Sequence, residues 1–233
     1  MYLECTVDEG ERLEIVSQCS LFCKLDSTVQ SFVASRATTR RFKQGTPLLR
    51  KGASQSSLML ITAGLVKVSL TSWSGREVIL KMCTDRDFVG LGSILEGTVS
   101  PADHIAETNA TVLQVPNSTL RMILDEAPFN AALHQGMFDA YRQAIETIEV
   151  IALYSLRARL ARLLLSLFLD DAKLMLFYPT YFTQERLAQL ANATRPKVNG
   201  HLQVFKEAGA IRIEAGQIKI TSPETLGRFS SPD

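Results

Sequence analysis

Arg195, Asn199 and Gln203 follow one another at intervals of four residues, so a helix would bring them near one face. Side chains of these types read base edges. A guanidinium bonds O6 and N7 of guanine, and a carboxamide bonds N6 and N7 of adenine. Thr183, Gln184, Thr194 and Lys197 surround them with hydroxyl, amide and ammonium groups of the kind that meets phosphate oxygens. The chemistry on offer is recognition, not bond-breaking. No phosphate-cradling loop, metal-spaced His/Cys set or nucleophile–base pair is visible, so no catalytic residue and no metal ligand is assigned, and an enzyme is not expected. Paired acids such as Asp85/Asp87 and Asp125/Glu126 read as solvated turns.

The elements that must position these side chains are also legible. Thr183 can cap a helix opening at Gln184-Glu185, where the acid suits the positive N-terminal end. Leu187, Leu190 and Ala191 give that helix a buried face, and Asn192 tolerates the left-handed conformation of a tight interhelical turn. Thr194 can cap a second helix from Arg195 to Ala208, ended by Gly209. Pro196 falls in its first turn, where the missing N–H costs nothing. With Val198, Leu202 and Phe205 turned inward, the outward face is Pro196, Gly200 and Gln203, flanked by Asn199 and Lys197. Ile211-Arg212-Ile213 and Ile218-Lys219-Ile220 then alternate around Glu214-Ala215-Gly216-Gln217, as in a small hairpin with basic residues on its solvent face. Helix, turn, helix and hairpin make a winged helix-turn-helix.

Upstream the texture changes twice. From about Phe42 to Pro116, Leu58 to Ile61, Leu65 to Leu70, Val78 to Met82 and Ala110 to Val115 read as strands. Ala63-Gly64 and Ser74-Gly75 supply tight turns between them, and the spacing predicts a barrel or sandwich. The stretch Glu9 to Ala37 ahead of it reads as helical and amphipathic. After Pro128 the period becomes helical: Met137, Tyr141, Ala144, Ile148 and Ile151 keep a 4-3-4-3 spacing, the seam of a two-stranded coiled coil, with Ser155 marking its end. A second apolar line through Phe138, Ile145 and Ala152 suggests that one flank packs on the chain's own barrel.

Composition fits this division. The 233 residues are 46% hydrophobic and 21% charged, with a net charge of only +1. Residues 155–233 hold eleven Lys and Arg against seven Asp and Glu, whereas residues 1–154 hold fourteen against seventeen. A basic C-terminal third beside an acidic remainder is the asymmetry expected when one segment meets phosphate. No apolar run is long enough to span a bilayer and the start lacks the order of a signal peptide, so no membrane partner and a cytoplasmic location are expected. Cys5, Cys19, Cys23 and Cys83 are too scattered for a disulfide framework and read as reduced, buried thiols.

Thr183 to Ala191, continued through Leu202, Phe205, Gly209 and Ile211, resembles the DNA-binding domain of the CRP/FNR family of bacterial regulators. Leu21-Phe22, Lys51-Gly52, Gly64 to Val68, Gly75 to Leu80, Asp87 to Gly90 and Arg159 to Ala161 extend the resemblance over roughly residues 15–225. It implies an α+β protein: an N-terminal double-stranded β-helix (a jelly-roll-like β-roll), a long central dimerisation helix and a C-terminal winged helix-turn-helix. The expected boundaries are 1–128 for a cyclic-nucleotide-binding-like sensor, 129–154 for the dimerisation helix and 155–233 for the DNA-binding domain. The implied partners are double-stranded DNA, a second copy of the chain and, for an activator, RNA polymerase.

The same resemblance locates the departures. In nucleotide-binding members a glutamate after the sensor glycine bonds the ribose, and an arginine–serine pair neutralises the phosphate. The corresponding effector stretch here is Gly90-Leu91-Gly92-Ser93, followed by Ser100-Pro101 where that pair would stand, and no Lys or Arg occurs from Asp87 to Leu120. A buried phosphate without a cation is heavily penalised. Ala144-Ile145-Glu146 likewise replaces the threonine–serine pair that reads adenine. Cyclic AMP in the usual mode is therefore not expected, and the cofactor is left unknown. The alternative is a redox or small-ligand sensor whose β-roll takes an iron–sulfur cluster, a haem or a nucleotide. Four cysteines are the right number for a cluster, but only Cys19 and Cys23 are close, and His104, His134 and His201 form no recognisable haem pair. Members that read guanine use Arg-Glu-x-x-x-Arg; Arg195 matches the first position, while Pro196 and Gly200 occupy the others.

Overall fold

The computed structural model describes residues 2–4, 7–75, 77–92, 99–170, 182–214 and 217–231. It forms two compact units: Met1–Ser72 with Leu80–Gln143, and Trp73–Ile79 with Ala144–Asp233.

The first unit opens with a short strand, β1 (Tyr2–Glu4), and two helices where the sequence suggested one helical stretch. Asp8 caps the first, Glu9–Gln18, accepting from the Glu11 N–H at 2.8 Å. Asp26 caps the second, Ser27–Arg36, accepting from the Thr28 N–H at 2.8 Å. Each aspartate satisfies a helix N–H that would otherwise lack a partner.

Strands β2 (Thr38–Phe42), β4 (Ser57–Ala63), β7 (Phe88–Val89) and β9 (Ala110–Pro116) join β1 in a sheet of order β1-β2-β9-β4-β7. A second sheet has the order β3-β8-β5-β6, from β3 (Pro47–Leu49), β8 (Asp103–Ala106), β5 (Val66–Thr71) and β6 (Glu77–Cys83). The four apolar runs read from the sequence are β4, β5, β6 and β9. Strand β2, Thr-Thr-Arg-Arg-Phe, is too polar to announce itself, and its antiparallel register with β9 is what makes it a strand.

The run Leu58-Met59-Leu60-Ile61 is buried throughout because both faces of its sheet are covered. Leu58 and Leu60 pack with Phe22, Val33 and Phe129 on the helical side, while Met59 and Ile61 pack with Phe42, Val66 and Val112 between the sheets. Alternation along a strand sends successive side chains into two different cores. One buried ion pair, Lys67 Nζ to Glu107 Oε1 at 2.9 Å, belongs to this unit.

The long helix Ala127–Leu153 begins in this core: Phe129 stacks on Phe22 with ring centroids 5.7 Å apart, and Leu133 is buried. Beyond Leu133 no residue of the helix is buried. The second apolar line differs from expectation, since Phe138 and Ile145 are 60% and 46% exposed and Ala152 is exposed as well, so that flank is not buried against the described residues. Ser155, whose Oγ accepts from the Ala158 N–H at 3.4 Å, caps the next helix, Leu156–Leu165, which continues into a π-helical turn, Ser166–Asp170. The second unit is completed by helices Gln184–Leu190, Arg195–Glu207 and Pro223–Arg228 and by the hairpin of β10 (Ile211–Glu214) with β11 (Gln217–Ile220).

Candidate nucleic-acid interface and sensor stretch

Thr183 caps the first helix of the C-terminal pair, its Oγ1 accepting from the Arg186 N–H at 3.3 Å. As an acceptor there, the hydroxyl keeps its own proton for another oxygen. Leu187, Ala188 and Ala191 are the buried residues of this helix; Leu190 is only half-buried, and Ala188 takes the inner position. Asn192 turns the chain with φ +52°, the left-handed conformation expected of it, and Gly209 ends the second helix at φ +72°.

Val198, Leu202 and Phe205 are buried on the inner face of Arg195–Glu207, with Phe205 5.1 Å from the Phe229 ring. Opposite them Arg195, Pro196, Lys197, Gly200 and Gln203 are exposed. Thr194 sits at the N-cap position but makes no side-chain cap bond, and Thr183 is exposed while Gln184 is half-buried. Among the described residues neither Arg195 nor Lys197 forms an ion pair. Asn199 is half-buried with its Oδ1 enclosed and unpartnered, and the Gln203 Nε2 donates to Glu207 Oε1 at 3.4 Å. Sequence reasoning missed Val204, 42% exposed on the outward face. Its position four residues after Gly200 was the available signal. Burial, then the Arg157 guanidinium, holds the His201 imidazole below its ordinary pKa.

The hairpin pairs Ile211 with Ile220 and Arg212 with Lys219. Its cations do not stand alone: Arg212 Nη1 lies 3.3 Å and Lys219 Nζ 2.9 Å from the Glu214 carboxylate, whose pKa these hydrogen bonds lower, that from Lys219 most. One carboxylate offsets part of the basic character read from the sequence. Ala215 and Gly216 lie outside the described residues.

In the described part of the sensor stretch, space beside Gly90 is taken by Gln55, and Leu91 is packed into the core. Gly90 has φ +90°, and a Cβ there would lie on the buried Gln55 carboxamide, which donates to the Ser57 and Val89 carbonyls. Leu91 is 8% exposed and belongs to the helical-side core. Its Cδ2 would be 3.0 Å from a Cβ at Gly136, a tight contact that a larger residue there would have to displace. Gly92 is exposed, and Ser93 lies outside the described residues. Ser100 is buried with its Oγ donating to the Ala102 carbonyl at 2.8 Å, and Pro101 is exposed. A cleft of about 290 Å³ in this unit is lined by Glu11, Gln18, Thr39, Arg41, Asp85 and Arg86 among others, and shares no residue with the sensor stretch.

Cys19 packs on the helical side of the first sheet and Cys83 between the sheets, so the sheet itself separates them. Burial pushes their thiols up to about 11 and about 12, against the deprotonation that metal ligation requires. Cys23 is exposed and Cys5 lies outside the described residues. Among the described residues there is no group of three His, Cys, Asp or Glu placed to hold a metal, and no helix long and apolar enough to cross a membrane.

Two families of domain match this architecture. The cyclic nucleotide-binding domain matches residues 39–127, and the Crp-like helix-turn-helix domain matches residues 158–229. A CRP-like cAMP-activated global transcriptional regulator of Mycobacterium tuberculosis is 24% identical over 219 residues, covering 92% of this chain and 98% of that one. The global nitrogen regulator of Synechococcus elongatus is 25% identical, covering 81% of this chain and 87% of its own. Among solved structures, FixK2 from Bradyrhizobium japonicum shares the fold with a TM-score of 0.73 at 16% identity, over 84% of this chain and 98% of that one.

Proposed function

Because the chain belongs to the CRP/FNR family of transcription regulators and carries that family's DNA-binding helix-turn-helix, we propose that it binds duplex DNA as a symmetric homodimer and does not take cyclic AMP in the usual mode. The observation that carries the DNA reading is the outward face of Arg195–Glu207, where Arg195 and Lys197 stand exposed with no ion pair among the described residues while Val198, Leu202 and Phe205 on the opposite face are buried. In this reading Arg195, Asn199 and Gln203 read bases, and Thr183, Gln184, Thr194 and Lys197 meet phosphates.

The dimer rests on the exposed seam. Tyr141 and Ile148 are 64% and 61% exposed, and Met137 and Ile151 are more than a third exposed, along one line of the long helix that Ala144 completes. An apolar line of this length in water favours a copy of itself. Two-fold symmetry then sets two half-sites roughly one to two helical turns apart. If the regulator activates, RNA polymerase is its further partner.

The absence of a usual nucleotide mode is supported by Leu91 turned into the core, by the Ser100 hydroxyl engaged with Ala102, and by the lack of any cation from Asp87 to Leu120. Titrating labelled duplexes selected from random DNA, with and without cyclic AMP, tests the whole reading. Specific binding independent of the nucleotide is expected. A protein that ignores duplex DNA at low and moderate salt would overturn the DNA assignment, and nucleotide-dependent binding would overturn the sensor assignment.

A further inference from the structure

We propose that the outward face of the helix Arg195–Glu207 selects thymine-bearing base pairs by apolar contact with the C5 methyl group, with Gly200 and Val204 as specificity-determining positions. This rests on the DNA-binding reading above and names the class of site it would choose.

Pro196, Gly200 and Val204 stand at successive intervals of four on one line of the helix, opposite buried Val198, Leu202 and Phe205. At the helical rise that line runs about 12 Å, close to the width of the major groove. These three positions carry no hydrogen-bonding side chain, and Gln203 and Glu207 border them, bonded to each other. A single exposed valine on a protein surface is ordinary; here it completes a smooth stripe where a base-reading helix would otherwise present hydrogen-bonding groups. Of the polar neighbours, Asn199 has its Oδ1 enclosed and the Gln203 amide donates to Glu207 at 3.4 Å.

Gly200 supplies the second, independent observation. Its backbone is ordinary and a Cβ added there would meet nothing within 4 Å, so the fold does not require glycine. Glycine inside a helix is destabilising relative to alanine. What a bare backbone provides is approach. A major-groove methyl can come to van der Waals distance of the helix and pack against Val204 beside it, while Arg195 and Lys197 hold the flanks.

The full-length protein is used to select duplexes from a random library, and each selected duplex is resynthesised with deoxyuridine replacing thymidine at one position at a time. That change removes the methyl alone. At one or more positions in each half-site Kd is expected to rise about fourfold per methyl lost. Val204→Ala should shrink this difference toward zero while binding random DNA like the parent. Gly200→Ala should melt about 2–4 °C higher, since it mends the helix, yet bind the selected duplex more weakly. If deoxyuridine duplexes bind as tightly as thymidine duplexes at every position, the methyl assignment is overturned and DNA binding stands. If no duplex is selected, both fall.

Discussion

Gly90 and Gly200 each lie beside a stretch the sequence marks as functional, yet their surroundings are opposite. Around Gly90 the chain is closed: φ is +90°, and the Gln55 carboxamide occupies the space a side chain would need. Around Gly200 it is open, with an ordinary backbone and empty space. The fold demands the first glycine and is indifferent to the second. In the sensor stretch the Ser100 hydroxyl is engaged with the Ala102 carbonyl, whereas the outward face of Arg195–Glu207 and the line from Met137 to Ile151 on the long helix are exposed.

The sharpest way to break this contrast is on the open seam. Ile148→Glu places like charges against each other in the proposed dimer, and should weaken association by at least about 3 kcal/mol. Sedimentation should then show monomers and tight DNA binding should be gone; a variant that stays dimeric would move the interface elsewhere. On the closed side, Gly90→Ala combines a left-handed backbone with displacement of a doubly engaged Gln55 side chain. A loss of about 3 kcal/mol in urea unfolding is expected, and an unchanged midpoint would mean that the region is looser than described.

His104 extends the test to pH. It is 8% exposed with its Nδ1 unpartnered, and burial lowers its pKa from 6.5 to about 4. A base whose folded pKa is depressed contributes stability that is complete above the unfolded value. That stability falls as pH drops from 6.5 to 4 and is absent below. The stability lost across this window is on the order of 3 kcal/mol. His104→Gln should flatten that part of the profile, and an equally steep profile would assign the acid sensitivity to other groups.

Smaller effects are expected on the reading face. Arg195→Ala should cost about 1–3 kcal/mol of specific DNA binding with little change in stability; equal loss on random DNA would make Arg195 a phosphate contact. Gly200→Ala should raise stability by up to about 1 kcal/mol. A stability gain at Gly200 with a loss at Gly90 would establish the contrast between the two sites, and losses at both would erase it.

Much of the C-terminal unit could be read directly because its signals are local. Thr183 caps its own helix, Asn192 takes the left-handed turn, Gly209 ends the next helix, and Val198, Leu202 and Phe205 repeat at helical spacing. Each of these is a property of a few consecutive residues, so the chain can display it without folding. The four apolar strands and the helix carrying Met137 to Ile151 are legible for the same reason.

Other features depend on what lies opposite. Polar β2 is a strand because β9 lies beside it, Gly136 lies close against Leu91, and Arg212 and Lys219 share Glu214 in the hairpin. Whether Leu91 lines a pocket or fills a core, and whether Val204 is hidden or bare, is set by contacts between residues far apart in the chain. Periodicity and capping are written along the chain, and what faces each side chain is settled only when distant segments meet.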